Sequence, residues 1–554
     1  MSSHALTPSS HIDHFTRDHL PPPEQWPEFL FDRPELHYPE LLNVTSELVD
    51  AHVAQAKGTK PALHGHNGQS PFTWTYAELQ QQVDRIAHVL TQDMGLVAGN
   101  RLLLRGGNTP MMAACFLAGL KAGLVMVPTM PLLRAAELHQ VIQKARVTAA
   151  LCAHNLADEL MYCLDPAHPH HAPDLKQVVC YGTHEADHLE TLMATHASPF
   201  KAHPTTRDDA CLIAFTSGTT GSPKGTVHFH RDVMAMCDLF PRHVLHMSAD
   251  DVVCGTPPIA FTFGLGGLLA FPLRHGASTV LLEKHNPESL LKTIAAYKAT
   301  QCYTAPTFYR QMAALADGFD LSSLRHPVSA GEALPDTTRQ LWKQKTGQDI
   351  TDGIGGTEMI HIYIGSAGAQ IRAGSIGQVV PGYVAQIVDD NMQPVPPGTP
   401  GRLAVRGPTG CRYLDDPRQT NYVKDGWNLP GDTFVMDAQG YFFYVARNDD
   451  MIISAGYNIA GPEVESVLLQ HPAVAECGVV GVPDAERGHV VMAYVTLKPE
   501  YTGDTEMVET LQNFVKQHIA PFKYPRRIQF LPALPRTETG KLQRFRLRQM
   551  FAEH

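Results

Sequence analysis

The chain has 554 residues, of which 44% are hydrophobic and 18% charged, a composition typical of a globular protein with roughly three to four folding units. Its formal net charge of -11 argues against a nucleic-acid partner, because phosphate backbones require clustered positive charge. No apolar run reaches the ~18 residues of a membrane span and no secretory signal is visible, so we expect a cytoplasmic protein without a membrane partner.

The predicted elements alternate between helix and strand up to about residue 445. In chain order they are a helix over 76–90, a strand over 101–104, a helix over 111–122 that follows Pro110, and buried strands over 124–127, 210–215, 278–282 and 302–304. This alternation favours an α/β fold whose large N-terminal domain has layered parallel sheets.

The pattern changes twice in the second half. Short alternating strands over 385–389 and 402–405 predict a β-rich subdomain at about 370–445. Beyond residue 447 the pattern is strand, helix (463–469), two strands (474–482 and 490–497), helix (506–518), strand and tail. We therefore predict an N-terminal domain over 1–447 and a small, mobile α+β C-terminal domain over 448–554.

The cysteines and histidines show no ligand pattern. The ten cysteines, from Cys115 to Cys477, contain no CxxC pair, and the thirty histidines form no HExxH motif or tight cluster. We expect the cysteines to be buried hydrophobic residues in a reducing compartment, in neither disulfides nor a zinc site.

The stretch TSGTTGSPKG, residues 216–225, follows the predicted strand over 210–215. It lacks the Gly-Lys pair of a Walker loop, and the chain lacks the GxGxxG of a dinucleotide site. Its glycines nevertheless expose backbone N–H groups, its hydroxyls add donors, and Lys224 adds a positive charge. This composition favours a phosphate-binding loop over a flexible turn.

Further motifs follow in order. GIGGTE ends in Thr357 and Glu358, and a carboxylate beside phosphates is a natural ligand for Mg²⁺. Asp432 after Gly431, and Arg447, offer partners for ribose hydroxyls, and the tail carries Lys541 after a glycine turn. Each motif alone is more often a cap, a turn or a surface charge.

Taken together, these stretches resemble the adenylate-forming superfamily of acyl- and aryl-CoA synthetases, luciferases and peptide-synthetase adenylation domains. TSGTTGSPKG is similar to its phosphate loop, GIGGTE to its [YF]GxTE motif, ARNDDMI to its hinge, and PRTETGK to its C-terminal PxxxxGK, while TYAEL at 75–79 fits the family's start. The resemblance covers roughly residues 40 to 550. It implies that a carboxylate attacks the α-phosphorus of ATP, releasing pyrophosphate, and that the thiol of coenzyme A then displaces AMP.

The resemblance implies a role for each ATP-binding residue. The β- and γ-phosphates would be held by Thr216, Ser217, Gly218, Thr219, Thr220, Gly221 and Lys224. Adenine would lie between two segments, Gly331, Glu332, Ala333 on one side and Asp352, Gly353, Ile354 on the other. Asp432 and Arg447 would hold the ribose, Thr357 the α-phosphate and Glu358 the metal. Ile354 replaces the family's usual aromatic residue, which weakens the expected adenine contact.

Lys541 is the expected catalytic cation of the first half-reaction. The small domain would then rotate about Asp449 to admit the thiol. The residues expected to bind coenzyme A are Gly456, Tyr457, Phe522, Lys523 and Arg526, although for the last three a solvated strand edge is an equal alternative.

The acid pocket is expected beside the phosphate loop and around GIGGTE. Its candidate residues are Phe261, Phe263, Gly264, Ala330, Gly355 and His361. Rings, glycines and one polar group suit a small planar aromatic acid. The stretches GTVHFHRDV, PIAFTFGLGG and GIGGTEMIHI resemble benzoate-CoA and especially 2-aminobenzoate-CoA ligases, and no aspartate over 258–267 is available to pair with an α-amino group.

Three alternatives remain open at this point. They are a medium-chain acyl-CoA synthetase, a stand-alone enzyme that loads an aryl acid onto a carrier protein, and a non-catalytic nucleotide-binding protein. The last is disfavoured because Lys224, Glu358, Asp432, Arg447 and Lys541 are all present. A homodimer is left open.

Overall fold

The structure is a computed structural model that describes residues 6–66, 70–216, 223–447, 450–454, 457–484, 487–536 and 541–552. For Arg447, Ile453, Tyr457, Asn458 and Gly488 it describes the backbone only. Within these ranges the strands form four sheets. The expected α/β class, with a β-rich part and a small C-terminal unit, is confirmed.

The first sheet is parallel except at one edge. Its strands are, in spatial order, Gln177–Tyr181, Ala149–Ala153, Arg101–Arg105, Val125–Thr129, Ala210–Thr216 and Lys224–Phe229. The last two are antiparallel, and Thr216 pairs with Lys224. The expected phosphate loop therefore connects the two strands of a hairpin at the sheet's edge.

The second sheet runs beside the first and is parallel through its centre. Its strands are, in spatial order, Gln378–Val379, Ile362–Ser366, Thr351–Gly355, His326–Ser329, Gln301–Thr304, Val252–Gly255, Ser278–Val280, Pro61–His66 and Pro71–Thr75. The strand Thr351–Gly355 ends where the GIGGTE motif turns, so the carboxyl edge of this sheet carries that motif.

Two smaller sheets complete the chain. The β-rich sheet contains Val384–Val388, Gly401–Arg406, Val423–Lys424, Trp427–Asn428, Asp432–Met436 and Phe442–Arg447. The C-terminal sheet contains Ile452–Ser454, Tyr457–Ile459, Val474–Asp484, Gly488–Leu497 and Arg527–Phe530. The expected domain boundary at residue 447 stays a prediction.

The helices pack on these sheets. The α-helices of the described residues are Phe15–Asp18, Ala51–Ala54, Tyr76–His88, Pro110–Lys121, Ala135–Ala145, Ala157–Leu164, Leu189–Met193, His230–His243, Thr262–Gly264, Phe271–His275, Pro287–Tyr297, Pro306–Leu315, Asp336–Thr346, Gln419–Tyr422, Gly461–Leu468, Thr505–His518 and Arg544–Ala552. Within the described residues, none has both the length and the apolar composition that a membrane span requires.

Local sequence explains two helix starts. Thr75 accepts a hydrogen bond from the backbone N–H of Glu78, and the Glu78 carboxylate accepts one from the backbone N–H of Thr75. The TYAEL stretch thus forms a capping box that starts the helix Tyr76–His88. The helix Pro110–Lys121 has a Thr109 cap and proline at its first position. It is buried on nearly all sides, as expected for an apolar segment inside the core.

Separate apolar clusters support the two parts of the chain. The largest apolar cluster joins both parallel sheets and includes Leu117, Leu268 and Tyr303. The C-terminal unit has a core of its own that includes Val464 and Val491. Separate cores are what allow one unit to move as a body relative to the other.

Candidate active site

The hairpin beneath the phosphate loop is described, although most of the loop is not. Ser217, Gly218, Thr219, Thr220 and Gly221 lie outside the described residues. Thr216 ends its strand with a buried hydroxyl that has no hydrogen-bond partner among the described residues. Such a hydroxyl, at the mouth of a glycine-rich loop, can serve a phosphate oxygen.

Lys224 belongs to a tight polar cluster with Glu358 and Tyr413. Its Nζ donates to the Tyr413 hydroxyl at 2.8 Å and to Glu358 Oε1 at 3.5 Å, and it lies 4.9 Å from the centre of the Tyr413 ring. The Tyr413 hydroxyl in turn donates to Glu358 Oε1 at 2.5 Å. Burial, and next the neighbouring Glu358 charge, raise the pKa of Tyr413, so the phenol keeps its proton and can donate.

The donor set of this cluster fits a hard divalent cation. Oε1 of Glu358 accepts both hydrogen bonds described above, whereas Oε2 accepts none from a described residue. A carboxylate oxygen without a donor among the described residues suits Mg²⁺, which prefers oxygen ligands. Glu358 is therefore positioned for the metal role that the resemblance implies.

A buried network of His228, Asp232 and Arg412 contacts the backbone of Thr357. His228 donates from Nε2 to the carbonyl oxygen of Thr357 at 2.7 Å, and its other ring nitrogen lies 3.8 Å from Asp232. Asp232 accepts from the guanidinium of Arg412 at 2.7 Å. Burial alone would raise the pKa of Asp232, but the Arg412 charge and next the neighbouring His228 ring hold it well below its ordinary value.

Aromatic rings cover the buried guanidinium of Arg412. Its central carbon lies 4.1 Å from the ring centre of Phe229, 4.3 Å from that of Phe29 and 5.3 Å from that of Trp26. Because arginine stacks well on aromatic faces, these rings help to keep the charge in place without water. The N-terminal segment therefore takes part in supporting the site.

The turn that carries Thr357 and Glu358 is strained at its end. Ile360 has a φ of 63°, in a region that β-branched residues rarely adopt. Such conformations persist where the surroundings fix them, and they concentrate at functional sites.

Lys541 lies against the expected adenine segment. Its Cε is 3.3 Å from the position that a Cβ on Gly331 would occupy, and Gly331 itself has a φ of 91°. Ala333 is exposed beside it. The side chain of Glu332 contacts the C-terminal segment, since its Oε1 accepts from the backbone N–H of Leu542 at 3.1 Å. The structure thus brings the C-terminal lysine to the large domain's nucleotide face.

Asp352 is buried on the strand that precedes the turn. Burial raises its pKa to about 7, while Arg339, whose nearest nitrogen is 3.7 Å away, and the backbone N–H of Gly353 oppose the shift. The carboxyl is therefore poised between its protonated and ionised forms near neutral pH. Ile354 is half-buried and packs on the main core, so it offers an apolar edge in place of an aromatic face.

The expected ribose pair lies on neighbouring strands. Asp432 pairs in register with Arg447 across the antiparallel ladder, so their α-carbons are direct neighbours. A single hairpin therefore brings these two residues together, although they are distant in the sequence.

The expected acid pocket converges on His361. The ring of His361 lies 5.7 Å from Phe263, 5.9 Å from Phe240 and 4.4 Å from Phe271, between ring centres. A Cβ on Gly266 would meet the imidazole at 2.4 Å, so only glycine fits there. Phe240 and Phe271 were missed by sequence reasoning because they come from separate helices.

The other pocket candidates border the same cluster. Ala330 is buried at the end of the strand His326–Ser329, and a Cβ on Gly355 would meet the His361 carbonyl oxygen at 2.6 Å. Gly264 is equally confined, by the Pro258 carbonyl oxygen at 2.1 Å from its Cβ position. Phe261 is half-buried and precedes the short helix Thr262–Gly264.

The residues expected to bind coenzyme A and to form the hinge are only partly described. Asp449 and Gly456 lie outside the described residues, and Tyr457 is described by its backbone alone. Lys523 forms a two-oxygen ion pair with Glu463 at 2.6 and 2.7 Å, and Arg526 donates to the Tyr524 hydroxyl at 2.9 Å. Phe522 packs on the small core. In this arrangement Lys523 is already paired within its own unit.

His228 and Tyr413 are the polar residues of the site that sequence reasoning missed. His228 had a signal, because it lies on the strand Lys224–Phe229 at an alternate position from Lys224 and so shares its face. Tyr413 had none, since it lies between the strands Gly401–Arg406 and Val423–Lys424 and meets Lys224 only through the fold.

One group of potential metal ligands was missed in the sequence. All ten cysteines are free and buried, as expected. However, ligand atoms of His154, Cys180 and His188 lie within 4.8 Å of one another. His154 and Cys180 come from the ends of neighbouring parallel strands, so no short spacing in the sequence reveals the group.

Comparisons with known proteins agree with this geometry. Residues 50–412 match the family model described as AMP-binding enzyme, and residues 463–541 match the AMP-binding enzyme C-terminal domain. The benzoate–CoA ligase of Thauera aromatica is 34% identical over 524 residues, which cover 93% of this chain and 97% of that protein. The mitochondrial acyl-coenzyme A synthetase ACSM3 of Homo sapiens is 31% identical over 533 residues, covering 93% and 90%. The crystal structure of the anthranilate CoA ligase AuaEII with anthranoyl-AMP has a TM-score of 0.87 at 31% identity and covers 94% of this chain and 100% of its own.

Proposed function

The chain belongs to the AMP-binding enzyme family, as an AMP-forming acid–CoA ligase, and we propose that its acid is a small aromatic carboxylate, with 2-aminobenzoate favoured over benzoate. The carboxylate oxygen attacks the α-phosphorus of ATP, the bond to the β-phosphate breaks, and pyrophosphate leaves. The thiol of coenzyme A then attacks the acyl carbon and AMP leaves.

The observation that carries the aromatic acid is the environment of His361. Burial lowers its pKa to about 3, although a hydrogen bond to the Phe263 carbonyl oxygen opposes the shift. The ring is therefore neutral at pH 7. Since a carbonyl can only accept, the nitrogen that lies 3.3 Å from it, Nε2, carries the proton.

The other ring nitrogen of His361 suggests the ortho substituent. Nδ1 is then an acceptor, and it is buried with no partner among the described residues. Leaving a buried acceptor unpaired costs about 1–3 kcal/mol, and an N–H from the substrate would remove that cost. An amino group on an aromatic ring supplies such a donor, whereas benzoate does not. The surrounding rings suit the planar part of the same acid.

The chain's own residues divide the remaining work. Lys224 and the Thr216 hydroxyl bind the leaving phosphates, and Asp432 and Arg447 hold the ribose. Glu358 would hold Mg²⁺, which would supply positive charge for the departing pyrophosphate. Lys541 bridges the substrate carboxylate and the α-phosphate oxygens, which brings two anions together. The small unit then rotates about Asp449, and Gly456, Tyr457 and Arg526 receive coenzyme A.

Pyrophosphate release with a panel of acids tests this proposal. The panel contains 2-aminobenzoate, benzoate and octanoate, each with and without coenzyme A. We expect kcat/KM to be highest for 2-aminobenzoate, with sustained turnover only when coenzyme A is present. A preference for octanoate would support the medium-chain alternative instead. Sustained turnover with a carrier protein but not with coenzyme A would support the carrier-loading alternative.

A variant separates the role of His361 from general packing. In His361→Phe the ring is kept and the acceptor is lost, so the preference for 2-aminobenzoate over benzoate should fall by about tenfold. Phe240→Leu changes a neighbouring ring without removing a polar atom and should affect both acids alike. An unchanged preference in His361→Phe would contradict the assignment.

A further inference from the structure

The loop that carries Lys541 is closed at its base. Arg536 and Leu542 form an antiparallel bridge across residues 537–540, which lie outside the described residues. Lys541 is the neighbour of Leu542, so its position is tied to this base. Whatever holds the base also sets where the lysine points.

Glu332 of the large domain contacts both ends of this base. Its Oε1 accepts from the backbone N–H of Leu542 at 3.1 Å and from Nη1 of Arg536 at 3.3 Å. Glu332 adjoins Gly331, against which the Lys541 side chain lies. One carboxylate oxygen therefore connects the nucleotide face to the loop of the lysine.

The ion pair between Glu332 and Arg536 is partly shielded from solvent. The Glu332 side chain is 20% exposed and that of Arg536 is 26% exposed. Burial raises the pKa of Glu332, and the charge of Arg536 is the largest influence that opposes the shift. The carboxylate thus depends on the docked C-terminal segment for part of its stabilisation.

Arg536 also binds a second carboxylate, which belongs to its own unit. Nη2 of Arg536 donates to Glu476 at 3.1 Å, and Glu476 lies on the strand Val474–Asp484 of the small unit. Glu476 therefore moves together with Arg536, whereas Glu332 remains behind when the small unit rotates. Of these two contacts, the one with Glu332 would be lost when the small unit rotates.

We propose that Glu332 is a positioning residue that docks the small unit for adenylate formation by binding both ends of the loop that carries Lys541. This inference rests on the proposed function for the role of Lys541. Glu332 is not expected to touch the substrate carboxylate. Its effect is on how often Lys541 occupies the site, so it belongs to the first half-reaction alone.

The inference is tested by measuring the rates of both half-reactions in the variants Glu332→Gln and Glu476→Gln. Adenylate formation is measured by single-turnover release of labelled pyrophosphate, and thioester formation by adding coenzyme A to pre-made acyl-adenylate. We expect Glu332→Gln to slow the first step by about tenfold to a hundredfold, as for one lost charge-assisted contact, and to leave the second step at the wild-type rate. Glu476→Gln should change both rates by the same factor.

A double variant tests whether Glu332 acts through Lys541. In a Lys541→Ala background, Glu332→Gln should cause no further loss of adenylate formation. A further loss there would show that Glu332 acts on the nucleotide directly, and equal slowing of both half-reactions would indicate a general structural role; either result overturns the inference. These assays use whichever acid supports the fastest pyrophosphate release, so a failure of the aromatic-acid proposal remains distinguishable.

Discussion

The two halves of the candidate site are built differently. On the large domain, Lys224, Tyr413 and Glu358 are joined by short hydrogen bonds and backed by the buried pair of Asp232 and Arg412. On the small unit, Lys541 is exposed, and the described contacts of its loop with the large domain are polar. The fully buried pair of Asp232 and Arg412 resists separation because each partner would be left unpaired, whereas a partly exposed ion pair such as that of Glu332 and Arg536 can exchange its partner for water. This difference favours a fixed half around Lys224 and a detachable half around Lys541.

The largest effect should come from the detachable half. Lys541→Ala should slow adenylate formation by about 10²–10³-fold, because it removes a positive charge aimed at the reacting oxygens. Thioester formation from pre-made adenylate should be largely spared, since Lys541 has left the site by then. Separate assays of the two half-reactions check this. Full overall activity in the variant would remove Lys541 from the mechanism.

A smaller effect is expected from the fixed half. Lys224→Ala should slow adenylate formation by about ten- to a hundredfold and thioester formation less, because Lys224 binds the phosphates that leave in the first step. Tyr413→Phe is the matched control: it keeps the ring under the ammonium but removes the hydroxyl between Lys224 and Glu358, so its loss should be smaller. If Lys224→Ala slowed both steps equally, the distinction between the halves would not hold.

The smallest effect concerns pH and also belongs to the fixed half. Asp352 has a pKa of about 7, so its carboxyl is mostly protonated below that value. If the ionised carboxylate accepts the adenine amine, ATP binding favours deprotonation, and affinity must rise as pH rises through 7. We expect KM for ATP to be about tenfold higher at pH 6 than at pH 8. Asp352→Asn should abolish this dependence, and a variant with the wild-type profile would place the titration elsewhere.

Local patterns predicted the framework well. The helix Tyr76–His88 follows from side-chain periodicity and from the Thr75 and Glu78 cap, and the strand expected over 210–215 is present as Ala210–Thr216. The second strand of the hairpin around the phosphate loop, Lys224–Phe229, was not predicted. The helix and the first strand were predictable because periodicity and helix capping depend only on residues that are close together in the sequence. The family motifs likewise marked Lys224, Glu358 and Lys541 as candidates, and their roles stay predictions.

Contacts between distant segments could not be predicted. Arg412 and Tyr413 join the site from the segment between the strands Gly401–Arg406 and Val423–Lys424, and the Glu332 carboxylate accepts from the backbone N–H of Leu542. Each of these contacts depends on how separate sheets pack against one another, and the pattern of side chains along the sequence does not show this. The cluster of His154, Cys180 and His188 was missed for the same reason. A cytoplasmic location and a homodimer stay predictions.

The aromatic cover of Arg412 has a consequence for how the chain tolerates shortening. Trp26 and Phe29 precede every expected substrate-binding residue, yet their rings shield the guanidinium that holds Asp232, and Asp232 lies beside His228 under Thr357. A protein that began after Phe31 would retain all of those binding residues and still expose this charge to solvent. Trp26 and Phe29 thus support the candidate site, and removing them would weaken the packing that holds the Arg412 guanidinium against Asp232.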